Sequence, residues 1–245
     1  MKVLSALISF ATLSLLAVPS FALSVEETKE KLMVEDSYEA PVGQIFNEEA
    51  YLNGTSPLKA YTNVIVINKK DKGPGAQTLR MYTNGQLVLT TKVSTGVETL
   101  EYVSGFAGFF RKFGRGATHS HWRHTTRGVY TIKRVEEANY QSGENNFHMP
   151  YAMFFNDKRG LAVHQVPPDL KGGEAAGENA LGHRASSGCV RVHKNTIQQI
   201  HTAVVDAGKG ETPVLDSRTG EPVLQANGQQ AIQNGYKSIV IVEEY

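Results

Sequence analysis

The sequence predicts a mainly β fold with a few helices, built as a curved sheet, sandwich or barrel. Three observations predict it. Short β-branched and aromatic runs recur between turns rich in Gly, Asn, Asp and Pro. A helical period emerges clearly only after residue 189. The composition, 40% hydrophobic and 20% charged over 245 residues, is that of a globular chain able to bury a sizeable core, and it argues against disordered, collagenous and coiled-coil classes.

In chain order, residues 1–22 read as a signal peptide. Met1 and Lys2 form a short n-region, an apolar run spans Val3 to Val18, and small residues stand at Ser20 and Ala22 before the expected cut. The run falls short of the ~20 residues of a comfortable membrane span. The expectation is an exported, soluble protein; an uncleaved anchor is the alternative. Removing Lys2 from 25 Lys+Arg leaves 24 basic against 24 acidic residues, so bulk charge makes no case for a nucleic-acid or membrane-surface partner.

Residues 23–60 read as an N-terminal extension with a short charged helix over Val25–Met33 and a turn-rich stretch from Asp36 to Pro57. Residues 61–245 read as one domain. Tyr61–Asn68 is a strand by its Val-Ile-Val-Ile run, and Lys69–Gln77 a turn. Thr78–Thr83 and Gln86–Val93 flank Asn84-Gly85, a strong hairpin signal. Gly128–Arg134 is a further strand. Tyr151–Phe155 and Leu161–Gln165 flank another turn pattern at 156–160. Ile197, Ile200, Val204 and Ala207 recur at helical spacing, with a capping box expected at Asn195 and Gln198 and a C-cap at Gly208. Val214-Leu215 and Ser238–Val242 read as strands, the second closing the sheet.

Cys189 is the single cysteine, so it cannot staple this chain to itself. Its readings are a small buried hydrophobe, an intermolecular disulfide or a nucleophile. The context is Ser186-Ser187-Gly188-Cys189-Val190-Arg191-Val192. A glycine before the cysteine allows a tight turn and leaves room for a substrate, and a strand-like run follows. That pattern favours a nucleophile at a loop-to-strand junction.

Several segments then read together: Val93-Ser94-Thr95-Gly96, Thr125–Ile132, Met149–Phe155, Ala162-Val163-His164, Leu181-Gly182 and Ser186–Val192. In this order they resemble the L,D-transpeptidases, the YkuD-type cysteine enzymes of bacterial peptidoglycan, over roughly residues 61–207. The resemblance implies a periplasmic or cell-wall location, a cysteine acyltransferase with peptidoglycan stem peptides as substrate and an amine acceptor as partner, and no metal or organic cofactor; the alternatives are a carboxypeptidase or endopeptidase hydrolysing the same peptides, and a non-catalytic wall-binding module. Ser187 stands where the family usually has His. Two insertions, about 97–124 and 171–179, lengthen the chain; the second reads as a loop.

The chemistry maps onto few residues. Cys189 is the candidate nucleophile and His164, on a predicted strand, the candidate base that takes the thiol proton. His183 and His193 are the runner-up bases, His183 also a pocket residue and His193 near the start of the following helix. The group orienting His164 is not readable. The N–H groups of Gly188 and Cys189 are candidate oxyanion donors. Ser186 buttresses the loop or touches substrate, and Ser187 contributes fine substrate contacts. Arg191, two residues past the nucleophile on a strand, shares its face and could grip a carboxylate. His119, His121 and His124, among aromatic and basic residues of the first insertion, could in principle hold a metal, but no acidic or Cys ligand accompanies them nearby.

Overall fold

The computed structural model describes residues 39–102, 119–142 and 147–245, with the backbone alone at 101–102 and 119–121. The expected signal peptide and the helix over 25–33 lie outside the described residues. Nine strands form one sheet: β1 (Asn63–Asn68), β2 (Thr78–Thr83), β3 (Gln86–Ser94), β6 (Gly128–Thr131), β7 (Arg134–Val135), β8 (Met153–Asn156), β9 (Leu161–Gln165), β10 (Val190–Val192) and β13 (Ser238–Glu243). Their order is β6-β13-β1-β2-β3-β10-β9-β8-β7. Two small two-stranded sheets pair β4 (Leu100–Tyr102) with β5 (His119–Trp122) and β11 (Lys209–Pro213) with β12 (Ile232–Tyr236). Among the described residues there are three short or medium α-helices: α1 (Glu48–Leu52), α2 (Gly173–Asn179) and α3 (Lys194–Ala207).

The sheet curls. The rings of Tyr130 on β6 and Phe155 on β8, far apart in strand order, lie 5.3 Å apart. Curling leaves β1 and β13 covered on both faces. In β1, Ile65 and Ile67 join a core with Met81, Val163, Val192 and the α3 residues Ile197, Ile200 and Val204. Val64 and Val66 join a second core with Phe46, Tyr51, Tyr82, Ile239 and Ile241. A strand buried on both faces reads as an unbroken apolar run, which is what β1 and β13 show. Phe46 and Tyr51 are fully buried, so the described part of the expected extension packs into the domain.

The β2–β3 hairpin turns at Asn84 (φ 51°) and Gly85 (φ 83°), both left-handed as a type I′ turn requires. The turn at 156–160 contains a 3-10 turn over Asp157–Arg159 and ends on left-handed Gly160.

Four expectations need correction. The cap of α3 is His193, whose ring accepts from the Asn195 amide at 3.3 Å, so the helix starts two residues earlier than a cap at Asn195 implies; Gly208 does end it. The strand near Val214 is β11, which ends at Pro213 and pairs outside the main sheet. Strand β13 does not close the sheet but sits inside it, parallel to β1 and antiparallel to β6. Residues 173–179 of the second insertion form helix α2, where a loop was expected; Gly177 presses its backbone against Val166 and Leu170, a contact that flexible surface sequence does not announce.

Candidate active site

Strands β9 and β10 run parallel, with Arg191 opposite His164 and Val190 opposite Val163. Side chains alternate along a strand, so Cys189, Arg191 and His164 share one face across a strand spacing of about 4.8 Å. All three line a cavity of about 420 Å³. Its apolar wall includes Tyr140, Phe147, Phe154 and Leu170. Phe154, Ala162 and Met149 pack beneath, with Cys189 against them.

His164 is 3% exposed, and its Nδ1 donates to the Gln165 carbonyl at 2.6 Å. This is the orienting acceptor that the sequence left open, and it leaves Nε2 as the basic nitrogen. Burial, and then the Arg191 charge, push the imidazole down to about 3, so it is neutral at physiological pH.

The Cys189 thiol is raised by burial, against smaller opposing effects from the Ala162 backbone and the Arg191 charge. It donates to the Gly160 carbonyl at 3.4 Å. The resting pair is therefore thiol and neutral imidazole. Arg191 donates to the Ala185 carbonyl at 2.9 Å. Among the described residues no carboxylate pairs with it, and the opposite charge acting on it is the cysteine's own.

The nucleophile loop is tightly held. The buried Ser186 hydroxyl donates to the Cys189 carbonyl and accepts from the Gly188 amide at 3.1 Å. Gly188 takes φ +131°, and a Cβ there would meet the His124 carbonyl and Leu161 at 3.0 Å each. The Gly188 amide is committed to Ser186, which leaves the Cys189 amide as the oxyanion candidate of the two. His183 is exposed and does not line the cavity, because it belongs to the turn that closes on Ala180 after α2. His193 caps α3, faces Glu178 at 3.3 Å and, like His183, does not line the cavity. Ser186 and Ser187 both line the cavity, Ser187 exposed.

Behind the loop lies a group of charged residues that sequence reasoning missed. Lys69 is fully buried with Nζ 2.8 Å from Glu98 and 3.8 Å from Glu39. His124 stacks flat on Trp122 at 3.8 Å and has one ring nitrogen on Glu39 at 2.6 Å and the other on Glu98. Its two nitrogens are thus engaged, which removes it from the suggested metal trio; the side chains of His119 and His121 lie outside the described residues. Arg127 pairs with Glu39 and Glu244, and Arg184 with Glu244. Scattered charges of both signs carry no sequence pattern that marks them as buried.

The model of the family "L,D-transpeptidase catalytic domain" (YkuD) matches residues 62–224. No curated protein sequence matches the chain. Among solved structures, an L,D-transpeptidase from Xylanimonas cellulosilytica is 17% identical, covering 74% of this chain and 60% of its own with a TM-score of 0.40. One from Mycobacterium tuberculosis is 18% identical, covering 75% and 58% with a TM-score of 0.41. The catalytic domain from E. faecium is 13% identical, covering 74% and 95% with a TM-score of 0.38. The chain thus spans about three-fifths of the length of the first two. With a match over 62–224, two thirds of its length, this chain belongs to the YkuD family of L,D-transpeptidase catalytic domains.

Proposed function

We propose that the protein is an exported L,D-transpeptidase that acts on peptidoglycan stem peptides through a Cys189 thioester. The observation that carries this reading is the meeting of Cys189, His164 and Arg191 on one face of two parallel strands, inside one cavity. The thiol gives its proton to His164 Nε2 as Sγ attacks the carbonyl of the L-centre at stem position three. The Cys189 amide faces the developing oxyanion. The C–N bond breaks, His164 returns the proton to the departing amine of the D-residue, and a thioester remains. An incoming amine, its proton taken by His164, replaces the thiolate and gives a cross-link; water in its place gives a shortened peptide. Arg191 stabilises the thiolate and stands where a substrate carboxylate would meet a cation that has no carboxylate partner among the described residues.

Cys189→Ala should abolish turnover of purified muropeptides and adduct formation with a carbapenem, read by intact mass, while far-UV circular dichroism is unchanged. Turnover surviving in that variant would reject the nucleophile. Reactions with and without added amine acceptor distinguish transfer from hydrolysis: shortened peptides alone in both would reject transfer. Export through residues 1–22 predicts a mature protein beginning at Leu23, read from the mass of the exported form.

A further inference from the structure

The Thr125 hydroxyl donates to the Gly188 carbonyl at 2.6 Å and accepts from the Gly96 amide at 2.8 Å. Thr125 is fully buried, and its own carbonyl accepts from Lys69 Nζ at 2.7 Å. The carbonyl of Gly188 and the N–H of Cys189 belong to one peptide unit, which is planar. Fixing the oxygen at one end therefore fixes the direction of the N–H at the other. With the Gly188 amide spent on Ser186, that N–H is the oxyanion donor the loop retains. A hydrogen bond accepted by the carbonyl also polarises the same peptide unit and strengthens its N–H as a donor.

We infer that Thr125 is a positioning residue of the oxyanion site: its hydroxyl sets the Gly188–Cys189 peptide so that the Cys189 amide points at the developing charge, and Lys69 holds Thr125 in place from behind. This inference rests on the acyl-transfer reading above. A structural hydroxyl would affect every reaction of Cys189 through loop collapse. An oxyanion-positioning hydroxyl affects only reactions that pass through a tetrahedral oxyanion.

Two reactions of the same thiol separate these. Carbapenem acylation builds an oxyanion; iodoacetamide alkylation is a displacement at carbon and builds none. In Thr125→Val, acylation followed by intact mass should slow by about 10²-fold or more, the size of losing one oxyanion donor. Alkylation should stay within about threefold of the wild type, and Thr125→Ser, which restores the hydroxyl, should recover acylation. Unchanged acylation in Thr125→Val overturns the inference, as does an equal loss in both reactions. A wild-type protein that alkylates at Cys189 but never acylates rejects the acyl-transfer reading itself, and the inference with it.

Discussion

Arg191 acts on its two neighbours through one charge. It draws the Cys189 thiol toward ionisation and holds His164 away from protonation, the first against burial and the second together with burial. The site therefore rests with its proton on sulfur. Burial outweighs the arginine at the thiol, so alkylation of Cys189 against pH should show a midpoint above the value near 8.5 of a free thiol. Arg191→Met should move that midpoint further up, because it removes the opposite charge that favours the thiolate. A midpoint at or below the free-thiol value in the wild type would contradict the balance described here. The sequence revealed Cys189, His164 and Arg191 because a turn glycine, a strand and a two-residue spacing leave local marks. It concealed Thr125 and Lys69 because their roles depend on partners 63 and 56 residues away.

At the level of elements, α2 is where the intrinsic propensity and the environment disagree. Alanine is normally better than glycine in a helix by about 1 kcal/mol. At Gly177 an added Cβ would lie 2.4 Å from Val166 Cγ1 and 2.6 Å from Leu170 Cδ1, far inside van der Waals contact. Gly177→Ala should therefore destabilise the protein by about 1–3 kcal/mol through overpacking. The thermal midpoint should fall by roughly 2–10 °C, given a few degrees per kcal/mol at this chain length. A rise would show that α2 shifts freely. Because Leu170 is a cavity wall, the same variant should also raise KM more than it lowers kcat. The hairpin at Asn84-Gly85 was legible because left-handed backbone is written in residue type. Helix α2 was not, because its reason to fold is the side of β9 and the Pro167–Leu170 turn, with Glu174 holding the Gln165 side chain at 2.9 Å.

Across the whole molecule, buried ionisable groups make stability depend on acid. His164 binds a proton near 6.5 when unfolded and only at about 3 when folded. Between those values the unfolded chain binds more protons, so stability falls as pH falls through that window. Glu39 and Glu98 are lowered despite burial, by their bonds to His124 and the nearby Lys69; Glu98 reaches about 2. Their stabilisation is present above the unfolded value of 4.5 and is lost below it. Between pH 6.5 and 4.5 the His164 contribution therefore stands apart from theirs. Urea unfolding should show a loss of roughly 2 kcal/mol over that interval, from about 1.4 kcal/mol per unit. His164→Gln should remove most of it; an identical slope in the variant would reject the assignment.

The placement of β13 has a practical bearing on how this gene can be cut. The family match stops at residue 224, yet residues 238–243 fill the slot between β1 and β6. Ending the chain at residue 224 would open a seam between edge strand β6 and the rest of the sheet, exposing two ladders of unpaired backbone and the walls of both cores. Such a fragment should be recovered as aggregate, whereas supplying residues 225–245 as a separate chain could complement it, as a missing stave restores a cask.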